Sequence, residues 1–218
     1  MTTSSLPEPF QLAARGMEIW RGETLLLENT SLEIAAGELL WLRGPNGSGK
    51  TSLMRCLLGL APLEAGEVSW CGQEANPRDP DFLADVAWCG HRPGLRAELS
   101  PRENLRAWLA ILGQAPRGSI HEALERVGLG SRADLPCGVL SAGQLRRAAL
   151  ARLLLSPARF WCLDEPLTGL DADGITLVGE LLREHCGDGG AALVSSHQSL
   201  PANTAPAREM MLGPGAAP

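Results

Sequence analysis

Gly44-Pro45-Asn46-Gly47-Ser48-Gly49-Lys50-Thr51 stands between two apolar runs. Leu39-Leu40-Trp41-Leu42 before it is short and unbroken, as a buried strand is. Residues 50–58 after it read as an apolar helix, with Gly59 suited to its C-terminus. Strand, glycine-rich turn and helix in that order, with the pattern GxxxxGK[ST] complete, form the context in which such a loop cradles phosphates. Glycines let backbone N–H groups curl around the anion. The start of the helix adds about half a positive charge. Lys50 is expected to reach the β- and γ-phosphates, the Thr51 hydroxyl to ligate Mg²⁺, and Ser52 to extend the same turn. ATP and Mg²⁺ are therefore the expected ligands.

Lys50 is the single lysine among 19 basic residues, the rest being arginine. Lysine is a compact charge on a thin stem and arginine a wide planar fork. A position that kept lysine in so arginine-rich a chain points to a site that needs the narrow side chain.

The 218 residues and their ordinary apolar fraction suit one α/β domain, or one core with a small insertion. A chain of this length buries roughly 70% of its unfolded surface and needs no disulfides. The net charge of −6 argues against nucleic acid as a main partner, since phosphate backbones call for clustered Lys and Arg. The six cysteines, Cys56, Cys71, Cys89, Cys137, Cys162 and Cys186, form no CxxC pair and no zinc-type spacing. They read as reduced and partly buried, with a metal or haem contact through Cys89 and His91 as the weaker reading. Met1 to Pro9 lacks the basic-then-apolar pattern of a signal peptide and is expected to be a loose tail. No run of about 18 apolar residues occurs, so a transport role would need a pore from another chain.

Farther along, Phe160-Trp161-Cys162-Leu163-Asp164-Glu165 is an apolar strand ending in two acids. Acids at the C-terminal edge of a parallel sheet face the ligand crevice. Asp164 is expected to hold Mg²⁺ through water, and Glu165 to act as the general base for the attacking water. Other expected elements are strands at 25–27 and 191–195 and helices at 103–112, 119–127 and 175–186, with a further helix after Ser141. Residues 66–90 read as short strands and loops, and the chain beyond Leu212 as frayed.

Leu140-Ser141-Ala142-Gly143-Gln144, just before an arginine-rich amphipathic helix, resembles the LSGGQ signature of ABC ATPases, with Ala142 in place of the second small residue. The resemblance covers nearly everything from residue 10 to about 200. It implies an α/β, P-loop NTPase fold of the ABC-ATPase type: a mostly parallel sheet core, an antiparallel β subdomain on the adenine side, and a helical subdomain inserted at about 92–140. The ATPase domain would run from 10 to 213, with 1–9 and 214–218 as loose ends.

In that family the signature caps the γ-phosphate bound by the other subunit, which implies a homodimer sandwiching nucleotide. Ser141, Gly143 and Gln144 carry that role here by resemblance. Asp171, after Thr168-Gly169-Leu170, resembles the loop that crosses the dimer interface. His197 resembles the switch histidine at the γ-phosphate. Trp20 lies about where the family places the aromatic that stacks on adenine; a merely structural role is the other reading.

One departure stands out. His91 occupies the place where the family usually carries a glutamine between Mg²⁺, water and the transport subunit. Imidazole is a poorer Mg²⁺ ligand than a carbonyl oxygen, so His91 holds water or relays the nucleotide state. With Gly90, Pro93-Gly94, Glu98-Leu99-Ser100, Glu103-Asn104-Leu105, Arg146-Arg147, Ala151-Arg152-Leu153 and His197-Gln198-Ser199-Leu200, it makes the chain similar to the ATP-binding subunits of cytochrome c maturation systems, the so-called haem exporters. That similarity implies haem-handling integral membrane partners and a peripheral position on the cytoplasmic face of the bacterial inner membrane. Another ABC importer or exporter, a non-transport ABC ATPase of DNA repair or translation, and a regulatory nucleotide-binding module are the competing readings.

Overall fold

The computed structural model describes residues 10–213. The expected tails at 1–9 and 214–218 lie outside the described residues. In chain order the elements are β1 (Gln11–Arg21), β2 (Thr24–Ala35), β3 (Leu39–Arg43), α1 (Lys50–Leu57), β4 (Ala65–Trp70), β5 (Gln73–Glu74), α2 (Pro80–Asp85), β6 (Val86–Cys89), α3 (Pro101–Leu112), α4 (Ile120–Arg126), α5 (Ala142–Leu155), β7 (Phe160–Asp164), α6 (Ala172–Gly187), β8 (Ala191–Ser195) and β9 (Ala207–Met211).

Two sheets form. The larger, in the order β6-β7-β8-β3-β9, is parallel throughout. The smaller, β2-β1-β4-β5, is antiparallel. Parallel strands need crossovers, and a sheet covered on both faces needs apolar residues on both. β7 and β8 are buried along their whole length. In β7, Phe160 and Cys162 join an apolar cluster with α1 and the antiparallel sheet. Trp161 and Leu163 point the other way, into a cluster built with α4, α5 and α6. The helices α3 and α4 therefore do not carry an isolated core: Leu105 and Leu124 pack in the cluster that holds Leu150 and Leu163.

Local chemistry explains the helix starts. Ser100, Ser119 and Ser141 each cap a helix with a full capping box, paired with Glu103, Glu122 and Gln144. Two elements depart from the sequence reading. α2 falls in a stretch read as strands and loops, although Asp79 caps it and Pro80 opens it. β9 falls in the Pro- and Gly-rich end; it is an edge strand with no fully buried residue, so no apolar pattern announces it.

His185 on α6 is 5% exposed and stacks on Trp161, with ring centroids 3.9 Å apart. Its Nε2 lies 3.1 Å from the Arg159 carbonyl and 3.2 Å from that of Ala191. Burial holds its pKa down at about 4. The depressed value means that the unfolded chain takes up this proton first as pH falls. Stability is thus retained above about 6.5 and lost as pH falls toward 4. Urea unfolding at pH 7 and pH 5 should show a loss of about 2 kcal/mol from this group. His185→Phe should flatten the acid dependence by that amount; an unchanged slope would assign it to other groups.

Candidate functional site: a nucleotide cleft and a separate signature surface

The phosphate loop joins the C-terminal end of β3 to α1. Gly44 has φ +145, and a Cβ there would stand 2.2 Å from the Leu212 carbonyl oxygen and 2.7 Å from Ser48 Oγ. Gly49, in the left-handed region at φ +96, is the N-cap of α1. Only glycine meets both demands. Lys50 is 7% exposed and folds back across the loop, where Nζ donates to the carbonyls of Gly44 (2.7 Å) and Pro45 (3.0 Å). Ser48 Oγ is buried with no hydrogen-bond partner. The first-turn amides of α1 likewise have no acceptor within their helix. An unpartnered hydroxyl, free amides and a lysine in one turn are a donor set that fits a polyphosphate.

β7 brings the acids to the same place. Asp164 is 2% exposed. Its Oδ2 accepts from Thr51 Oγ1 at 2.9 Å, and its Oδ1 accepts from Ser195 Oγ at 2.6 Å. Three neighbouring elements are tied at one carboxylate: α1, β7 and the end of β8. A hydroxyl and a carboxylate oxygen in contact suit a hard divalent cation such as Mg²⁺.

Glu165 leaves the strand with φ +51, the left-handed region. For a residue with a Cβ this costs about 1–2 kcal/mol. Its N–H offsets part of that by donating to the Ser195 carbonyl (3.1 Å) and Ser195 Oγ (3.0 Å). The turn aims its carboxylate at His197, whose Nδ1 lies 3.0 Å from Oε1. A carboxylate beside an imidazole at the mouth of a phosphate site can accept and pass on a proton.

One cleft gathers Asn46, Gly47, Gly49, Lys50, Thr51, Ser52, His91, Asp164, Glu165 and His197. Most residues singled out in the sequence thus converge. Arg21, Leu26 and Thr168 line the cleft too, although in the sequence Leu26 reads only as part of a strand, Thr168 only as the approach to Asp171, and no local mark singles out Arg21. Trp20, beside Arg21 on β1, is 45% exposed and is not among the lining residues. Cys89 is buried, and desolvation raises its thiol pKa, so it offers no thiolate to pair with the exposed His91.

Ser141, Gly143, Gln144 and Asp171 sit elsewhere. They line a second concavity with Gly128, Arg147 and Gly169. Ser141 caps α5, accepting from the Gln144 N–H at 3.3 Å. Gly143 packs so tightly that a Cβ would lie 2.7 Å from the Gly169 carbonyl oxygen. Asp171 caps α6 through the Gly174 N–H (2.9 Å) and pairs with Arg147, whose hydrogen bond holds its carboxyl below the usual range. No residue lines both concavities, so the phosphate loop and Ser141 lie in two separate hollows of the chain.

A phosphate loop after β3, an acid pair at the end of β7, one strand removed in the same parallel sheet, and a detached helix capped by Ser141 define an ATP-binding cassette. The sequence profile described as "ABC transporter" matches residues 27–168, and the chain belongs to the ABC transporter family, as an ATP-binding, ATP-hydrolysing subunit. It is 48% identical over 190 residues to the Methylococcus capsulatus "Cytochrome c biogenesis ATP-binding export protein CcmA", covering 87% of this chain and 92% of that protein. Identity to the protein of the same name from Hahella chejuensis is 43% over 189 residues, 87% and 90% of the two chains. In fold it is similar to a dimeric bacterial ABC transporter cassette of known structure, with a TM-score of 0.80, 23% identity and coverage of 92% and 94%. Among the described residues, no helix is long and apolar enough to cross a membrane.

Ser195 supports both acids through one hydroxyl. Ser195→Ala should leave a buried carboxylate oxygen of Asp164 without its donor and destabilise the fold by about 1–3 kcal/mol. A urea midpoint indistinguishable from wild type would show that the Asp164 contact carries no net stability.

Proposed function

We infer that this chain is the ATP-hydrolysing subunit of a cytochrome c biogenesis transporter, acting as a homodimer on haem-handling integral membrane subunits. The observation that carries the dimer is the split between the two concavities. A single chain presents the phosphate loop in one and the signature in the other, so a second copy must bring them together. The names of the curated relatives support the haem assignment, and the dimeric solved neighbour supports the pairing.

Each residue then has a role. Gly44, Pro45, Asn46, Gly47, Ser48, Gly49, Lys50, Thr51 and Ser52 wrap the phosphates of ATP, and Trp20 stacks on its adenine. Thr51 and Asp164 would hold Mg²⁺, which would supply neutralisation of the phosphate charge. Glu165 takes the proton of the attacking water as its oxygen bonds to the γ-phosphorus and ADP departs. His197 holds the Glu165 carboxylate in its aim. Ser141, Gly143 and Gln144 of one copy cap the γ-phosphate bound by the other, and Asp171 crosses between the copies. His91 passes the nucleotide state to the membrane subunits. The ATPase unit runs from residue 10 to 213, with its helical part at about 92–140. Its place is the cytoplasmic face of the bacterial inner membrane, with no nucleic acid partner.

Lys50→Ala should abolish ATP turnover in the full chain, because no second lysine exists to replace it. Near-wild-type hydrolysis would refute the phosphate-loop assignment. Glu165→Gln should bind ATP normally, lower turnover by about 100-fold or more and accumulate as dimer with Mg-ATP; a purely monomeric gel-filtration profile would contradict the sandwich. In the host, deletion should deplete covalently bound haem in c-type cytochromes, restored by wild type and not by Lys50→Ala. Undiminished c-type haem after deletion would overturn the haem assignment while leaving the ATPase in place.

A further inference from the structure

Arg146 is 3% exposed, and none of the ion pairs among the described residues includes it. Every hydrogen bond it makes goes to a backbone carbonyl. Nε donates to Pro166 O at 3.2 Å. Nη1 donates to Gly90 O at 2.7 Å and reaches His91 O at 3.4 Å. Nη2 donates to Asp164 O at 2.8 Å and Glu165 O at 2.7 Å.

A buried guanidinium without a counter-ion is costly and persists only where its donors are satisfied in full. Here they are satisfied by two loops that are far apart in the chain. One is the turn that carries Asp164 and Glu165; the other carries His91. The stem of Arg146 belongs to α5, the helix whose first turn is the signature. Glu165 is also the residue of this turn held in the left-handed region, so its backbone needs external fastening. Ser195 secures its N–H, and Arg146 secures its carbonyl.

We propose that Arg146 is a positioning residue for hydrolysis: it clamps the Glu165 turn to the His91 loop and makes the aim of the Glu165 carboxylate depend on how α5 is seated. The helix that meets the partner's nucleotide through Ser141 thereby also sets the general base of its own cleft. Planarity matters, since one fork must serve two loops at once, which a lysine ammonium cannot do. The inference rests on the proposed role of Glu165.

The test uses the full chain, with ATP affinity, kcat and KM measured separately. Arg146→Gln should keep ATP affinity within about three-fold and lower kcat about 10- to 100-fold, a part of what a general base contributes. In the Glu165→Gln background the same change should lower the residual single-turnover rate no further. Guanidinium ion should restore turnover to Arg146→Ala, and methylammonium should not. Wild-type kcat in Arg146→Gln, or a further full loss in the Glu165→Gln background, overturns the proposal. If Arg146→Gln does not fold, Arg146→Lys decides: a folded variant with lowered kcat supports the clamp, and a wild-type kcat refutes it. Undiminished turnover in Glu165→Gln alone would instead sink the base assignment, whatever Arg146 does.

Discussion

Asp164 is a buried carboxylate held by two hydroxyls, Thr51 from the start of α1 and Ser195 from the end of β8. The remaining features of the cleft are arranged around this contact. It sets the distance between the phosphate loop and the acidic strand end. Ser195 at once supports Asp164 and receives the Glu165 N–H, so the neighbouring residue is placed by the same hydroxyl. A buried, hydrogen-bonded polar cluster of this kind tolerates little displacement, because any partner that moves leaves a desolvated group unpaired.

The parallel sheet makes the cluster possible. β3, β7 and β8 run the same way and end on one edge, so the loops that follow them share a rim. Both sheet faces are covered, which keeps the strand ends dry and the carboxylate buried. The cover on one face includes α4, α5 and α6, and α5 is also the helix that begins at the signature. The apolar packing that stabilises the sheet therefore ties the signature mechanically to the strand ends. Arg146 adds a polar strut along the same line.

The two concavities share no lining residue. Ser141 caps a helix whose N-terminal turn packs on the Gly169 loop, away from the phosphate loop. In the proposed homodimer a second copy would complete the nucleotide site, so closure would depend on ligand and a local chemical event would acquire a mechanical consequence.

Much of this was legible in the residue string. Lys50 and Thr51 in GxxxxGK[ST] are a local pattern whose chemistry follows from spacing, the run ending in Asp164-Glu165 takes its meaning from following that loop, and Ser141 takes its meaning from resemblance to the ABC signature. The helices expected at 103–112, at 119–127 and after Ser141 start at Pro101, Ile120 and Ala142, within two residues. What stayed hidden has a common cause. β9 has no buried face, so its pairing with β3 supplies no periodicity to read. Arg21 and Thr168 line the cleft only because distant loops meet there. Arg146 looks like one more arginine on an arginine-rich helix, yet it is buried against carbonyls of two loops that precede and follow it by many residues. Sequence by itself determined which chemical groups exist and which local turns hold them, because those depend on near neighbours. Tertiary structure alone decided which groups share a cleft and that the signature does not, because long-range packing of a parallel sheet sets those distances.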